Sequence, residues 1–374
     1  MVDKKQYKDT QLHISKLGFG CMRFPVKDGY VDIDKTCDLI AHAMQSGINY
    51  YDSGYFYQGG QSEKAMGQAF KPFKRSEYII TTKLPNFACS SEAEIYNTID
   101  EQLKRCQTDY FDFYLLHNVN ERSLAQFSRP YVVKALEKLK QDGKIRGTGF
   151  SSHANVDTLK WFADYYDWDI AQIQLNRFDW QYLDSQGQYE ELTKRGIPVV
   201  VMEPLRGGRL ASISEEGDKM LKSLDPDKSI ASYSFRFAGA LPNVSVVLSG
   251  MNEMFQLEDN VKTFTNLKPL SGVELETFDR ALDALLSGNE APCTKCEYCL
   301  EGCPMQLDIP GLIDRYNSYM VSRHFMEMTR ISWMPEDKQP KSCSACGQCA
   351  EACPQNIDIP AIMEKLANSM QRRR

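Results

Sequence analysis

Over most of the chain, short runs of apolar β-branched and aromatic residues alternate with longer amphipathic stretches, the rhythm of repeated βα units. Eight runs predict strands: Gly18–Met22, Asn49–Asp52, Tyr78–Lys83, Phe111–His117, Arg146–Ser151, Ala171–Asn176, Pro198–Glu203 and Ser245–Ser249. Helical periodicity falls between them, at Asp34–Gln45, Ser91–Arg105, Tyr131–Gln141, Val156–Tyr165 and Ile230–Phe237. After the eighth run, Leu257–Phe264 and Val273–Leu286 read as closing helices. Eight strands with intervening helices predict an α/β chain built as a (β/α)8 TIM barrel. The initial stretch LHISKLGFG is expected to form a small hairpin plugging its bottom. A doubly wound sheet is the competing arrangement, but no G-x-G-x-x-G follows a strand to mark a dinucleotide turn.

The 374 residues exceed the usual size of one domain, and 42% hydrophobic residues leave ample material for a large core. We expect the barrel to occupy residues 1–286, SGNEAP at 287–292 to act as linker, and residues 293–374 to form a small, mainly helical module. Its helix candidates are LIDRYNSYM and AIMEKLANSM.

That module repeats itself at an offset of 50 residues: CTKCEYCLEGCPMQLDIP from Cys293 returns as CSACGQCAEACPQNIDIP from Cys343. Both copies carry C-x2-C-x2-C-x3-C-P, the bacterial ferredoxin spacing for cubane iron-sulfur clusters. Three closely spaced thiolates face one cluster, and the fourth, turned away before proline, reaches its neighbour. Two such runs imply two [4Fe-4S] clusters. Zinc knuckles use C-x2-C as well, yet they leave the third and fourth cysteine of each run without a role. The resemblance to dicluster ferredoxins implies exchanged fourth ligands, with Cys293, Cys296, Cys299 and Cys353 on one cluster and Cys343, Cys346, Cys349 and Cys303 on the other. The wide separation of the runs suits a helical dicluster domain better than the compact βαβ ferredoxin. Of the 12 cysteines, Cys21, Cys37, Cys89 and Cys106 lie outside the runs and read as small apolar residues.

A net charge of -6 argues against polyanion binding, so nucleic acid is not an expected partner, and the basic end Gln371–Arg374 reads as a frayed terminus. Neither a signal-peptide core nor a run long enough to cross a bilayer is present in the sequence, so we expect a cytoplasmic protein with no membrane partner.

Ionisable residues mark the predicted strand tips, where barrel enzymes place their chemistry. The second strand runs into Asp52 and Tyr57 within NYYDSGYFYQGGQSE, the third ends in TTK at Lys83, and the fourth ends in LLH at His117. Taken singly, each has a plainer reading: a helix-capping Asp, a solvated Lys, a packing Tyr among Tyr50, Tyr51 and Tyr55, a structural His. The ordered set resembles the aldo-keto reductase tetrad, including the D-x4-Y spacing and the following Gly60–Glu63, and the match spans most of Leu12–Phe264. Carbonyl reduction by hydride transfer builds negative charge on oxygen, so the site must supply a proton and an electropositive setting. Tyr57 is the expected proton donor, Lys83 favours its phenolate, Asp52 orients that ammonium, and His117 hydrogen-bonds the substrate oxygen. His13, His42, His153 and His324 are structural or exposed by default, although His153 follows the fifth strand closely enough to reach the mouth.

The same resemblance implies a nicotinamide site. GTGFSSH supplies Ser151 as a carboxamide holder, with Ser152 where relatives carry Asn; Gln172 fits the other amide-holding position. Met202 stands where many relatives stack an aromatic ring, and its thioether can cover a ring face. In SGMNEMFQLEDN, Ser249, Gly250 and Asn260 fit the family segment, while Gln256 replaces the Arg of NADP-specific relatives. Arg206, Arg209 or Lys262 are substitute partners for a 2′-phosphate, so NADPH and NADH both stay open.

The expected function is NAD(P)H-linked interconversion of a small carbonyl and an alcohol, with the clusters folding the C-terminal module. Two alternatives stand beside it. In one, the clusters exchange electrons with the barrel or an external electron carrier; a two-electron hydride then needs a splitting cofactor, which leaves a flavin open although no flavin motif is visible. In the other, the chain is a non-catalytic redox sensor. Phe24, Tyr55, Phe87, Phe178 and Trp180 are candidates for lining an apolar substrate pocket or for packing.

Overall fold

The computed structural model describes residues 1–8, 10–121, 123–286, 291–322 and 326–371. His324, the terminal arginines and most of the expected linker lie outside them. The chain forms two compact units, one of Met1–Leu205 with Asp227–Leu275 and one of Arg206–Pro226 with Glu276–Arg374.

In the first unit eight strands close a barrel: β1 (Leu17–Gly20), β2 (Tyr50–Asp52), β3 (Ile79–Leu84), β4 (Phe111–Val119), β5 (Ile145–Ser152), β6 (Ile170–Gln174), β7 (Val199–Met202) and β8 (Val244–Ser249). Every neighbouring pair is parallel, and β8 returns to β1 through Ser249 opposite Phe19. This is the (β/α)8 barrel the periodicity predicts. Because side chains alternate across a strand, one set fills the inside and the next faces the helices. Tyr50, Ile79, Phe113, Leu115, Ile170, Val200, Val246 and Leu248 form the inner cluster, whereas Tyr51, Ile80, Tyr114, Leu116, Val201 and Val247 join the outer core. The inner space is tight enough to require glycine. A Cβ on Gly149 in β5 would lie 2.3 Å from the Ile170 carbonyl oxygen and 2.7 Å from Leu115.

The plugging hairpin differs from its expected form. Its arms are Lys4–Gln6 and His13–Ser15, while Leu17–Gly20 is already β1. Only Lys16 separates Ser15 from Leu17, too little chain for a turn, so LHISKLGFG runs on into the barrel. Tyr7 and Ile14 of this hairpin pack into the inner cluster, and the Tyr7 hydroxyl donates to the Asp169 carbonyl at 2.6 Å.

The second unit is mainly helical, with Glu215–Leu224, Ile309–Ser322, Met326–Ser332 and Ile359–Gln371. Its apolar core joins Leu307, Ile309, Leu312, Ile331, Ile357, Met363 and Leu366 to Cys299 and Cys349. The sequence repeat is also a structural one. Asp308 and Asp358 each accept from a backbone N–H three residues on, Gly311 and Ala361, at 3.1 Å, capping the helix that follows each run. Residues 206–226 pack with this unit: a Cβ on Gly217 would lie 3.3 Å from Ala281, and Leu210 and Leu221 are fully buried. No helix among the described residues is long and apolar enough to cross a membrane.

Candidate functional site

Four strand-tip residues converge at the barrel mouth. The Lys83 ammonium donates to Asp52 Oδ1 at 2.6 Å and to the Ser53 carbonyl at 2.5 Å. It sits 4.8 Å from the centroid of the Tyr57 ring, which meets His117 edge-on at 5.7 Å between centroids. Asp52, Lys83 and His117 are buried. Burial raises the Asp52 carboxyl, and the adjacent ammonium opposes that rise. Stripping two charges of water is costly, so a buried pair beneath a phenol marks a candidate site for chemistry.

The loop carrying Tyr57 is pinned on both sides. Gly54 lies so close that a Cβ there would stand 3.0 Å from the phenol ring. Beyond Tyr57, Ser62 bonds Ser53 Oγ at 2.8 Å and the Cys21 carbonyl at 2.7 Å. Glu63 then anchors the helix Gln61–Ala69: its buried carboxylate accepts from Thr82 at 2.7 Å, Gln102 at 2.6 Å and Arg105 at 3.1 Å. Sequence reading placed Glu63 only as a motif letter; its partners, up to 42 residues away, carry no local signal.

His117 and His153 are held neutral. Burial, then Lys83 and His153, keep His117 well below the usual imidazole range, and burial pushes His153 down to about 4. The unfolded chain binds protons at both positions near pH 6.5, before the folded chain does, so this stability is complete above that pH and is lost as pH falls toward about 4. The thermal midpoint is expected to drop across that window, and more shallowly in His153→Gln; equal slopes would sink this assignment.

The expected nicotinamide holders sit on adjacent strands. Ser151 pairs with Gln172 in the β5–β6 register, and Met202 pairs with Gln174 across β6–β7. Ser151 Oγ accepts from the Asn118 N–H at 2.8 Å, and Gln172 Nε2 donates to the Met202 sulfur at 3.7 Å. Gln172 Oε1 is a buried acceptor with no protein donor, which suits it to the N–H2 of a carboxamide. Asn260 donates to Ser249 Oγ at 3.0 Å, and Gly250 lies against Arg23. Gln256 is already employed: its amide oxygen accepts from the Asn252 and Glu253 N–H groups at 2.9 and 3.2 Å, capping the helix Met254–Phe264. Arg206 and Arg209 belong to the second unit, and Lys262 lies on the helix that Gln256 caps. Among the candidate aromatics, Tyr55 meets Phe56 and Phe87 edge-on, and those two exposed rings tilt against each other, while Phe24 is core and Trp180 packs on Tyr189 and Phe237.

In the second unit the cysteines fall into two sets. Cys293, Cys296, Cys299 and Cys353 line one apolar cavity, and Cys303, Cys343, Cys346 and Cys349 line another. The fourth cysteine of each run thus joins the other run's three. Their loops repeat in conformation as well: Lys295 and Ala345, Glu297 and Gly347, and Gln306 and Asn356 all have positive φ. This winding turns backbone N–H groups toward sulfur, with Lys295 to Cys293, Ala345 to Cys343 and Leu307 to Cys303, each at 3.4 Å. Burial, then Cys343 and Cys346 nearby, raises the Cys349 thiol to about 11, so a bound cation must draw the proton off. Glu297, at φ 67, bears strain that Gly347 escapes in the other copy. Glu297→Gly is expected to stabilise the protein by about 0.5–1 kcal/mol, raising the thermal midpoint. An unchanged or lower midpoint would show that its side chain contributes more than the strain costs.

A closed parallel barrel with a buried lysine–carboxylate pair under a tyrosine at its mouth defines an oxidoreductase of the barrel class, here joined to an iron-sulfur module. A model of the aldo/keto reductase family matches residues 16–283, and a model of the 4Fe-4S dicluster domain matches residues 292–357. The chain belongs to the aldo/keto reductase family and carries a dicluster-type ferredoxin domain after the barrel in sequence. L-galactose dehydrogenase of Arabidopsis thaliana is 28% identical over 76% of this chain and 94% of its own length. The NADH-specific methylglyoxal reductase of Escherichia coli is 24% identical over 73% of this chain and 97% of its own. Among solved structures, an aldo-keto reductase from Bacillus halodurans in its holo form superposes with a TM-score of 0.62 at 26% identity, covering 75% of this chain and 96% of that one.

Proposed function

We propose that the chain interconverts a small aldehyde or ketone and the matching alcohol by hydride transfer with NADPH or NADH, and that its second unit holds two [4Fe-4S] clusters. The observation that carries this is the Lys83 ammonium, bonded to buried Asp52 and set beside the Tyr57 ring. Bound nicotinamide would supply or accept the hydride at the carbonyl carbon. Tyr57 gives its phenolic proton to the carbonyl oxygen as that oxygen gains charge, and Lys83 stabilises the phenolate left behind. Neutral His117 can donate an N–H to the same oxygen without competing for the proton. In the oxidative direction Tyr57 takes the alcohol proton.

Ser151, Gln172 and Met202 would hold the nicotinamide, and Ser249, Gly250 and Asn260 the adenosine end. Gln256 brings no positive charge to a 2′-phosphate, so acceptance of NADH is expected. The names of two relatives, L-galactose dehydrogenase of Arabidopsis thaliana and NADH-specific methylglyoxal reductase of Escherichia coli, support carbonyl–alcohol chemistry and the inclusion of NADH in a screen. The clusters would supply one-electron chemistry. One observation favours their use with an external carrier over a purely structural role: Cys346 of the second set is exposed. A cytoplasmic location suits reduced thiolates and nicotinamide alike.

The test is anaerobic purification with iron and sulfide analysis, followed by NADPH- and NADH-linked assays on aldehydes, ketones and alcohols. Turnover together with about eight irons per chain is expected. No turnover on any carbonyl or alcohol would refute the catalytic reading, and about four irons would refute the second cluster.

A further inference from the structure

The two thiolate sets are near copies in sequence and conformation, but their surroundings differ. The first has a buried arginine at its edge. Arg206, 2% exposed, donates through Nη1 to the Pro292 carbonyl at 3.1 Å and through Nη2 to Gln355 Oε1 at 2.7 Å. Pro292 directly precedes Cys293, and Gln355 follows Cys353 by two residues. The backbone is committed to this placement: Arg206 itself has φ 50, and a Cβ on Gly207, at φ 67, would lie 2.4 Å from the Thr294 carbonyl oxygen. Thr294 is buried beneath this loop, whereas its repeat partner Ser344 is exposed. Around the second set, the counterpart of Gln355 is Met305, whose carbonyl accepts from Lys338 at 3.1 Å. That lysine side chain is 35% exposed and lies 3.9 Å from Asp337, so water and a carboxylate screen it.

We propose that Arg206 is a tuning residue for one cluster only, raising the reduction potential of the centre held by Cys293, Cys296, Cys299 and Cys353. The inference rests on the two-cluster reading above. Reduction adds one electron and one negative charge to a cluster, and a guanidinium fixed nearby in a water-poor setting stabilises the reduced form more than the oxidised one. The Pro292 carbonyl and Gln355 Oε1 that orient the guanidinium are neutral acceptors, and both lie within two residues of a cysteine of this set.

The test is a mediated redox titration of the intact protein by EPR, with a low-potential chemical reductant as electron source. Arg206→Gln is expected to lower one midpoint and leave the other where it was. A tenfold change in the oxidised-to-reduced ratio at fixed potential corresponds to about 59 mV for a one-electron couple. Arg206→Lys, which keeps the charge, should recover most of the shift. Gln355→Glu, which sets a carboxylate against the guanidinium, should lower the same midpoint with the arginine still present. Unchanged midpoints in Arg206→Gln, equal shifts in both centres, or an Arg206→Lys shift as large as that of Arg206→Gln each overturn the proposal. If Arg206→Gln fails to hold its iron, Gln355→Glu decides alone, and unmoved midpoints there overturn it. Iron analysis of the unaltered protein separates the two failures: about eight irons with no shift removes only this inference, whereas about four removes the two-cluster reading beneath it.

Discussion

Tyr57→Phe is expected to lower kcat for carbonyl reduction by about 10^2–10^4, the range associated with losing a positioned general acid. The change removes one oxygen and leaves the ring between Gly54 on one side and Lys83 and His117 on the other. Iron content, thermal midpoint and nucleotide affinity should therefore match those of the unaltered protein. Lys83→Met should cost activity too, but through a second route, because it leaves the buried Asp52 without its cation. That variant should lose stability as well as rate. The contrast separates proton donation from charge pairing, and full activity in Tyr57→Phe would remove the assigned chemistry.

Cys353→Ala is expected to empty the cavity served by the first run, although Cys353 belongs to the second. The prediction follows from the lining of the two cavities, where Cys353 stands with Cys293, Cys296 and Cys299. Single variants lower iron in either pairing scheme, so the discriminating measurement is on pairs. Cys353→Ala with Cys296→Ala should lose no more iron than one of them alone, since both act on one centre. Cys353→Ala with Cys346→Ala should lose nearly all of it. The opposite pattern would mean that each run keeps its four cysteines to itself.

The barrel was legible because its strands are short apolar runs of β-branched, aromatic and leucine residues, and each observed strand begins and ends within two residues of its predicted bounds. The juxtaposition of Asp52, Tyr57, Lys83 and His117 was legible for a related reason: parallel strands bring their C-terminal tips to one rim whatever the helices do. The two four-cysteine runs could be read because ligand spacing survives without knowledge of the fold, whereas the exchange of their fourth members came from the resemblance to dicluster ferredoxins. Other features depend on distant partners. The helix Ser185–Lys194 is too polar to announce itself and is secured by Asp184, whose carboxylate accepts from the Gly187 N–H at 3.1 Å. Gln256 looks like a ligand position and serves as a helix cap. Nothing local in Arg206–Pro226 tells that its packing partners come after Glu276.

That last feature bears on how the molecule is made and how its gene can change. Residues 206–226 leave the ribosome well before the segment from Glu276 onward with which they form one unit, Gly217 lying against Ala281, so for part of synthesis they wait for their packing partners. The iron-bearing tail is accordingly no detachable cargo. A stop codon just before Cys293 would leave residues 206–226 with only Glu276–Pro292 of the unit they belong to.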